Sequence, residues 1–139
     1  MHAQKTHSTA MAGEFCVMER LFRLGHEASL TFGHAKSIDI MTKAPSGRKY
    51  EVSVKAIRGG TKWPIGKESY SDQEDLVFVL LLYEDFENLA RPPETWVIPA
   101  AQAEQLKRKW EGGTYAIYRS PAGRHRLEPY KEAWQEYLG

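Results

Sequence analysis

The run Leu76–Tyr83, LVFVLLLY, is the strongest constraint on what this chain can fold into. It presents no polar face, so it fits a strand at the centre of a sheet, covered on both sides. It is the longest apolar run in the chain and is far too short to cross a bilayer as a helix. At 139 residues, 42% hydrophobic and 27% charged, the chain has enough apolar material for one core.

The other elements read as follows. Residues 1–9 are polar and expected to be a loose N-terminus, with a single domain over 10–139. Met11, Phe15, Met18, Leu21 and Phe22 recur at helical spacing until Gly25 stops the pattern, which predicts a helix over 11–24. Residues 37–42 (SIDIMT) and 49–57 (KYEVSVKAI) read as two strands of an antiparallel hairpin, with Ala44-Pro45-Ser46-Gly47 as the turn. In the second strand Tyr50, Val52, Val54 and Ala56 alternate with Glu51, Ser53 and Lys55, and Asp39 falls opposite Ser53 within a residue or two. Residues 58–75 read as a long loop, 94–98 as a short strand and 100–110 as a helix ended by Gly112-Gly113. Residues 115–119 read as an edge strand, 120–126 as a basic turn and 128–138 as a last helix. The order is α-β-β-β-β-α-β-α, an α/β or α+β sandwich around a mixed sheet.

Charge narrows the partners. Nineteen basic and 18 acidic residues give a net +1, which excludes nucleic-acid binding by bulk charge and leaves only a local patch. With one cysteine there is no internal disulfide, and no apolar leader is visible in the first residues. A reducing, cytoplasmic setting away from membranes is expected. The five histidines have no metal-ligand spacing, and neither GxxxxGK[ST] nor GxGxxG occurs. Cys16 within a helix reads as a small buried hydrophobe.

The informative constellation is Glu14, Asp39, Glu51, Ser53 and Lys55. Magnesium-dependent phosphodiester hydrolysis needs hard oxygen ligands converging on one point and benefits from a nearby ammonium. An Asp on one strand facing acid and lysine two apart on the next supplies that, and a helical Glu packed against the sheet adds to it. The same residues also read as the wet face of a hairpin with cross-strand ion pairs. A second feature is the segment 55–67, KAIRGGTKWPIGK, in which Lys55, Arg58, Lys62 and Lys67 surround Trp63. Cations neutralise phosphates and an aromatic stacks on a base, although Trp63 before Pro64 also suits an anchor into the core. Lys107-Arg108-Lys109, with Arg119, Arg124, His125 and Arg126, reads mainly as a solvated face.

Gly13-Glu14 on a first helix, Asp39 in SIDIMT and Val52-Ser53-Val54-Lys55 on a following strand resemble the PD-(D/E)XK, or restriction endonuclease-like, nuclease superfamily. The resemblance spans roughly residues 10–100. It implies an αβββαβ core with a mixed central sheet flanked by helices, and an endonuclease hydrolysing DNA phosphodiester bonds with Mg²⁺ (Mn²⁺ as substitute). Glu14 would be the helix acid, Asp39 the main metal ligand with Glu51 as a relocated partner, and Lys55 the catalytic lysine. Ser53 stands where the family carries Glu or Gln. Small nucleases of this kind pair to cut two strands, so the resemblance also implies a homodimer. Two other readings remain: a non-catalytic nucleic-acid-binding module on the same fold, and a protein-interaction domain dimerising through apolar residues near Phe86–Trp96.

Overall fold

The computed structural model describes residues 2–31, 38–119 and 127–139. Its elements are α1 (His2–Arg23), β1 (Glu27–Leu30), β2 (Ile40–Lys43), β3 (Lys49–Arg58), β4 (Lys62–Ile65), β5 (Leu76–Tyr83), β6 (Glu94–Pro99), α2 (Ala100–Leu106), β7 (Arg108–Lys109), β8 (Tyr115–Tyr118), a 3-10 turn (Glu128–Tyr130) and α3 (Trp134–Leu138). The fold is mixed α/β. A central sheet of order β1-β2-β3-β5-β6 pairs β3 and β5 in parallel and the other neighbours antiparallel. A second sheet has the order β4-β8-β7. The parallel β3–β5 crossover is made by β4 and residues 66–75, and α2 follows β6.

β5 organises both halves of the core. Val77, Val79 and Leu81 point into one cluster, which α1 closes with Val17 and Leu21 and α3 closes with Trp134 and Leu138. Leu76, Phe78, Leu80 and Leu82 point into the other, closed by Trp63 and Ile65 of β4, Ile117 of β8, and Ala100 and Ala103 of α2. Alternation along a strand forces that split, so an apolar run with no polar face requires a layer on each side.

α1 lies close against β3 because residue 13 has no side chain. A Cβ on Gly13 would stand 2.8 Å from the Ala56 Cβ and 3.4 Å from the Val54 Cγ1. The helix ends at Gly25, whose φ of +84° few other residues adopt. Its start differs from expectation: it begins at His2, so residues read as loose are helical. No Gly or Pro interrupts them. Buried Thr9 also ties this end down, its hydroxyl donating to the Lys5 carbonyl and accepting from Arg58 Nε.

Four further differences have local causes. The expected loop 58–75 contains β4, in which Trp63 and Ile65 face inward and Pro64 outward. β4 is an edge strand, where the missing proline amide is harmless. The helix expected over 100–110 stops at Leu106, because Lys107 turns extended and runs into β7. β8 lies between β4 and β7 and is not an edge. The last helix is split, with Glu132 at φ +52° between the 3-10 turn and α3. The expected basic turn 120–126 lies outside the described residues.

Candidate active site

Asp39 stands at the fork where β2 leaves β3. Continuing the Ile40–Val52 register would set Asp39 opposite Ser53. The ladder slips there: the Asp39 amide donates to the Val52 carbonyl at 2.8 Å, and Asp39 Oδ2 accepts the Val54 amide at 2.7 Å. The carboxylate thus takes a position a backbone carbonyl would hold, level with the sheet. The Asp39 carbonyl accepts the Thr31 amide at 2.9 Å, which fixes the residue from its other side.

Glu14 follows Gly13 on α1 and is therefore carried against the same stretch of β3. Burial raises its pKa above the ordinary carboxylate value, and the negative charge of Asp39 raises it further. The two acids are close enough to repel each other. Among the described residues neither forms an ion pair. Ser53, one residue from the amide that Asp39 accepts, is fully buried, and its hydroxyl has no hydrogen-bond partner among the described residues. Orphaned buried polar atoms of this kind are rare and costly.

Glu51 does not join them. Tyr50 and Val52 point into the α1-side cluster, so Glu51 alternates to the opposite face together with Ser53 and Lys55, in register with Met41. Among the described residues no three His, Cys, Asp or Glu side chains gather into a metal-holding group. The acid brought to Asp39 from the α1 side is Glu14, carried there by the close approach of the helix to β3. Lys55 is half-buried and forms no ion pair among the described residues. The donor set nevertheless suits a hard divalent cation: two carboxylates in mutual repulsion. Glu14 and Asp39 would hold it.

The basic segment after β3 is not one patch. Trp63 is fully buried, its Nε1 donating to the Leu81 carbonyl at 2.9 Å and its ring edge-on to Trp96 at 5.2 Å. It anchors β4 onto the central sheet and presents no face for a base, which corrects its assignment to nucleic-acid binding. Arg58 turns to the α1 side, with Nε on Thr9 and its guanidinium 3.6 Å over the Phe86 ring. The Lys62 ammonium lies 3.0 Å from the Trp110 ring centroid. Lys67 is exposed. In the stretch read as an apolar dimer surface, Trp96 is buried and Phe86 lies under Arg58, while Leu89 is exposed.

One charged residue was misread from sequence. Lys107 is buried, not solvated: its Nζ donates to the carbonyls of Gly66, Lys67 and Glu68 and pairs with Glu104 at 3.0 Å. The available signal was Glu104, three residues earlier on the helix that Lys107 caps. Burial pushes the Cys16 thiol pKa up, which suits a packed side chain and not a nucleophile.

The fold is a mixed sheet flanked by helices, with Asp39 at the fork of its second and third strands. No family model matches the chain, and no curated protein matches it. Among solved structures the chain is similar to that of a bacterial homing endonuclease, I-Ssp6803I, with a TM-score of 0.60 over 96% of this chain and 92% of that one, at 16% identity. The likeness is one of fold. Among the described residues no helix is long and apolar enough to cross a membrane.

Proposed function

We propose that the protein is a magnesium-dependent nuclease of the PD-(D/E)XK kind that hydrolyses phosphodiester bonds in DNA. The observation that carries this reading is the Asp39–Glu14 pair. Asp39 is locked by its own carboxylate into the β2–β3 fork, and Glu14 is held beside it despite repulsion. The fold it shares with a homing endonuclease supports DNA as the substrate.

When bound, the metal would supply Lewis acidity at a phosphoryl oxygen and a more acidic water. The residues of this chain do the rest. The Val54 amide orients Asp39 through Oδ2 and leaves Oδ1 to turn toward a cation. Glu14 must be ionised to contribute, and its raised pKa means that acid pH disables it first. The Lys55 ammonium would donate to a phosphate oxygen or orient water as charge develops. With Ser53 in place of an acid, less negative charge faces Lys55.

The test is nicking of supercoiled plasmid and cutting of a short duplex with Mg²⁺ or Mn²⁺. Wild type should cut and EDTA should stop it. Asp39→Asn should lose on the order of 10³-fold in rate, and Lys55→Ala about 10²-fold or more. A wild-type protein that binds duplex but cuts with neither metal is the non-catalytic module instead. One that neither cuts nor binds overturns both readings.

A further inference from the structure

We infer that the open face of β1, β2 and β3 is the surface that seats duplex DNA, with Lys43 and Lys49 gripping its phosphates; this rests on the nuclease reading above. On the α1 side these strands bury Ile40, Thr42, Tyr50 and Val52. The other face carries Glu27, Ser29, Met41, Lys43 and Lys49, all exposed, with half-buried Glu51. The second layer does not reach them, and Met41 is 43% exposed. Glu27, Met41, Thr42, Lys43 and Lys49 line a hollow of about 240 Å³.

One pair of charges on this face is poorly arranged for folding alone. Lys43 and Lys49 are direct register partners, and like charges directly opposite destabilise a sheet. Glu27 is opposite Lys43 on the other side, and Glu51 is two residues from Lys49. Among the described residues none of these four forms an ion pair. Arg48 at the same tip is already engaged: it donates to the Glu74 carbonyl at 3.3 Å, pairs loosely with Asp75 and lies over the Tyr50 ring. An anion bridging Lys43 and Lys49 would turn the repulsion into attraction.

Geometry favours a duplex over a lone phosphate. The register sets up rows across the strands: Glu27, Lys43 and Lys49, then Ser29, Met41 and Glu51. The major groove admits antiparallel strands, and Ser, Met and Glu can meet base edges as hydroxyl, apolar contact and acceptor. Lys49 and Lys55 alternate to the same face of β3 about 20 Å apart along the strand. That is about six base-pair steps of duplex, so a backbone seated on Lys43 and Lys49 extends along β3 to Lys55, two residues beyond the β2–β3 fork.

The experiment is fluorescence anisotropy with a labelled duplex of about 30 base pairs, in EDTA, as a function of salt, beside the plasmid assay in Mg²⁺. The Lys43→Gln/Lys49→Gln double variant should bind about tenfold more weakly, with the slope of log Kd against log salt reduced by about two. Its Tm should stay level or rise, because the repulsion is gone. The Lys43→Arg/Lys49→Arg variant should bind as wild type does. If wild type binds and cuts but the Gln variant keeps Kd and slope, the docking face is wrong and the nuclease reading stands. If wild type neither binds nor cuts, the nuclease reading falls and takes the docking face with it.

Discussion

Lys107 and the Glu14–Asp39 pair are both charges drawn partly out of water, and the molecule treats them in opposite ways. The Lys107 ammonium has three carbonyls, the Glu104 carboxylate, and the rings of Tyr70 and Tyr115 at 4.9 and 5.0 Å. Burial by itself would raise the pKa of Glu104, but the Tyr70 amide and Lys107 bring it below its usual value. At the fork, burial and a neighbouring carboxylate push Glu14 the other way. A buried charge supplied with every partner it can use is architecture: Lys107 closes residues 66–70 onto α2 and so holds β4 over the central sheet. At the fork Asp39 is placed by its bond from the Val54 amide, and neither it nor Glu14 forms an ion pair among the described residues.

The sharpest way to break the comparison is Lys107→Met. It removes one member of a buried pair and leaves three carbonyls to find water, so unfolding in urea should show a loss of about 3 kcal/mol. Mg²⁺ affinity at the fork should not change. A loss under about 1 kcal/mol would make Lys107 equivalent to a surface pair.

A smaller effect, of opposite sign, is expected for Glu14→Gln. With its folded pKa raised above the unfolded value near 4.5, Glu14 is more readily protonated in the native state. Its contribution to stability is therefore present below the unfolded value and lost as pH rises through the folded one. At neutral pH the Gln variant without metal should melt about 1–3 °C higher than wild type, and the difference should vanish in acid. Mg²⁺ should raise the Tm of wild type and leave the variant unmoved. Equal responses to Mg²⁺ would take Glu14 out of the metal site.

The smallest change in stability is expected for Ser53→Ala. Removing a buried hydroxyl with no partner should alter the unfolding free energy by less than about 1 kcal/mol. Isothermal titration with Mn²⁺ then separates the roles. Unchanged affinity makes Ser53 a packing residue, and a drop of several-fold places its oxygen beside the cation.

Legibility followed the range of the interactions. β5 was plain because eight apolar residues can only be buried, and β3 because its alternation is long enough to register. Gly25 announced the end of α1. β1, with four residues of mixed polarity, carried no signal of its own; it exists because β2 offers it an edge. β4 was hidden by Pro64, and Trp63 could be an anchor or a stacking platform until its Nε1 met the Leu81 carbonyl. Glu14, Asp39, Glu51 and Lys55 were all candidates from sequence, but which acid lies nearest Asp39 was not legible there. Glu51 and Glu14 are comparable candidates in sequence. Which of them reaches the fork depends on how closely a helix packs on β3, and that depends on the absent side chain of Gly13.

The sequence alone determined strands β2, β3, β5 and β6, the buried centre of their sheet, the α1–β2–β3 order that carries the candidate site, and the exclusion of binding by bulk charge. Those follow from periodicity, composition and the local chemistry of glycine and proline, which act over a few residues. Only the tertiary structure decided which charges are partnered. It buried Lys107, removed Trp63 from the surface, turned Glu51 to the open face and set Glu14 against Asp39. Each outcome depends on contacts between residues far apart in the chain, and the electrostatic state of a side chain is fixed by what that packing places beside it.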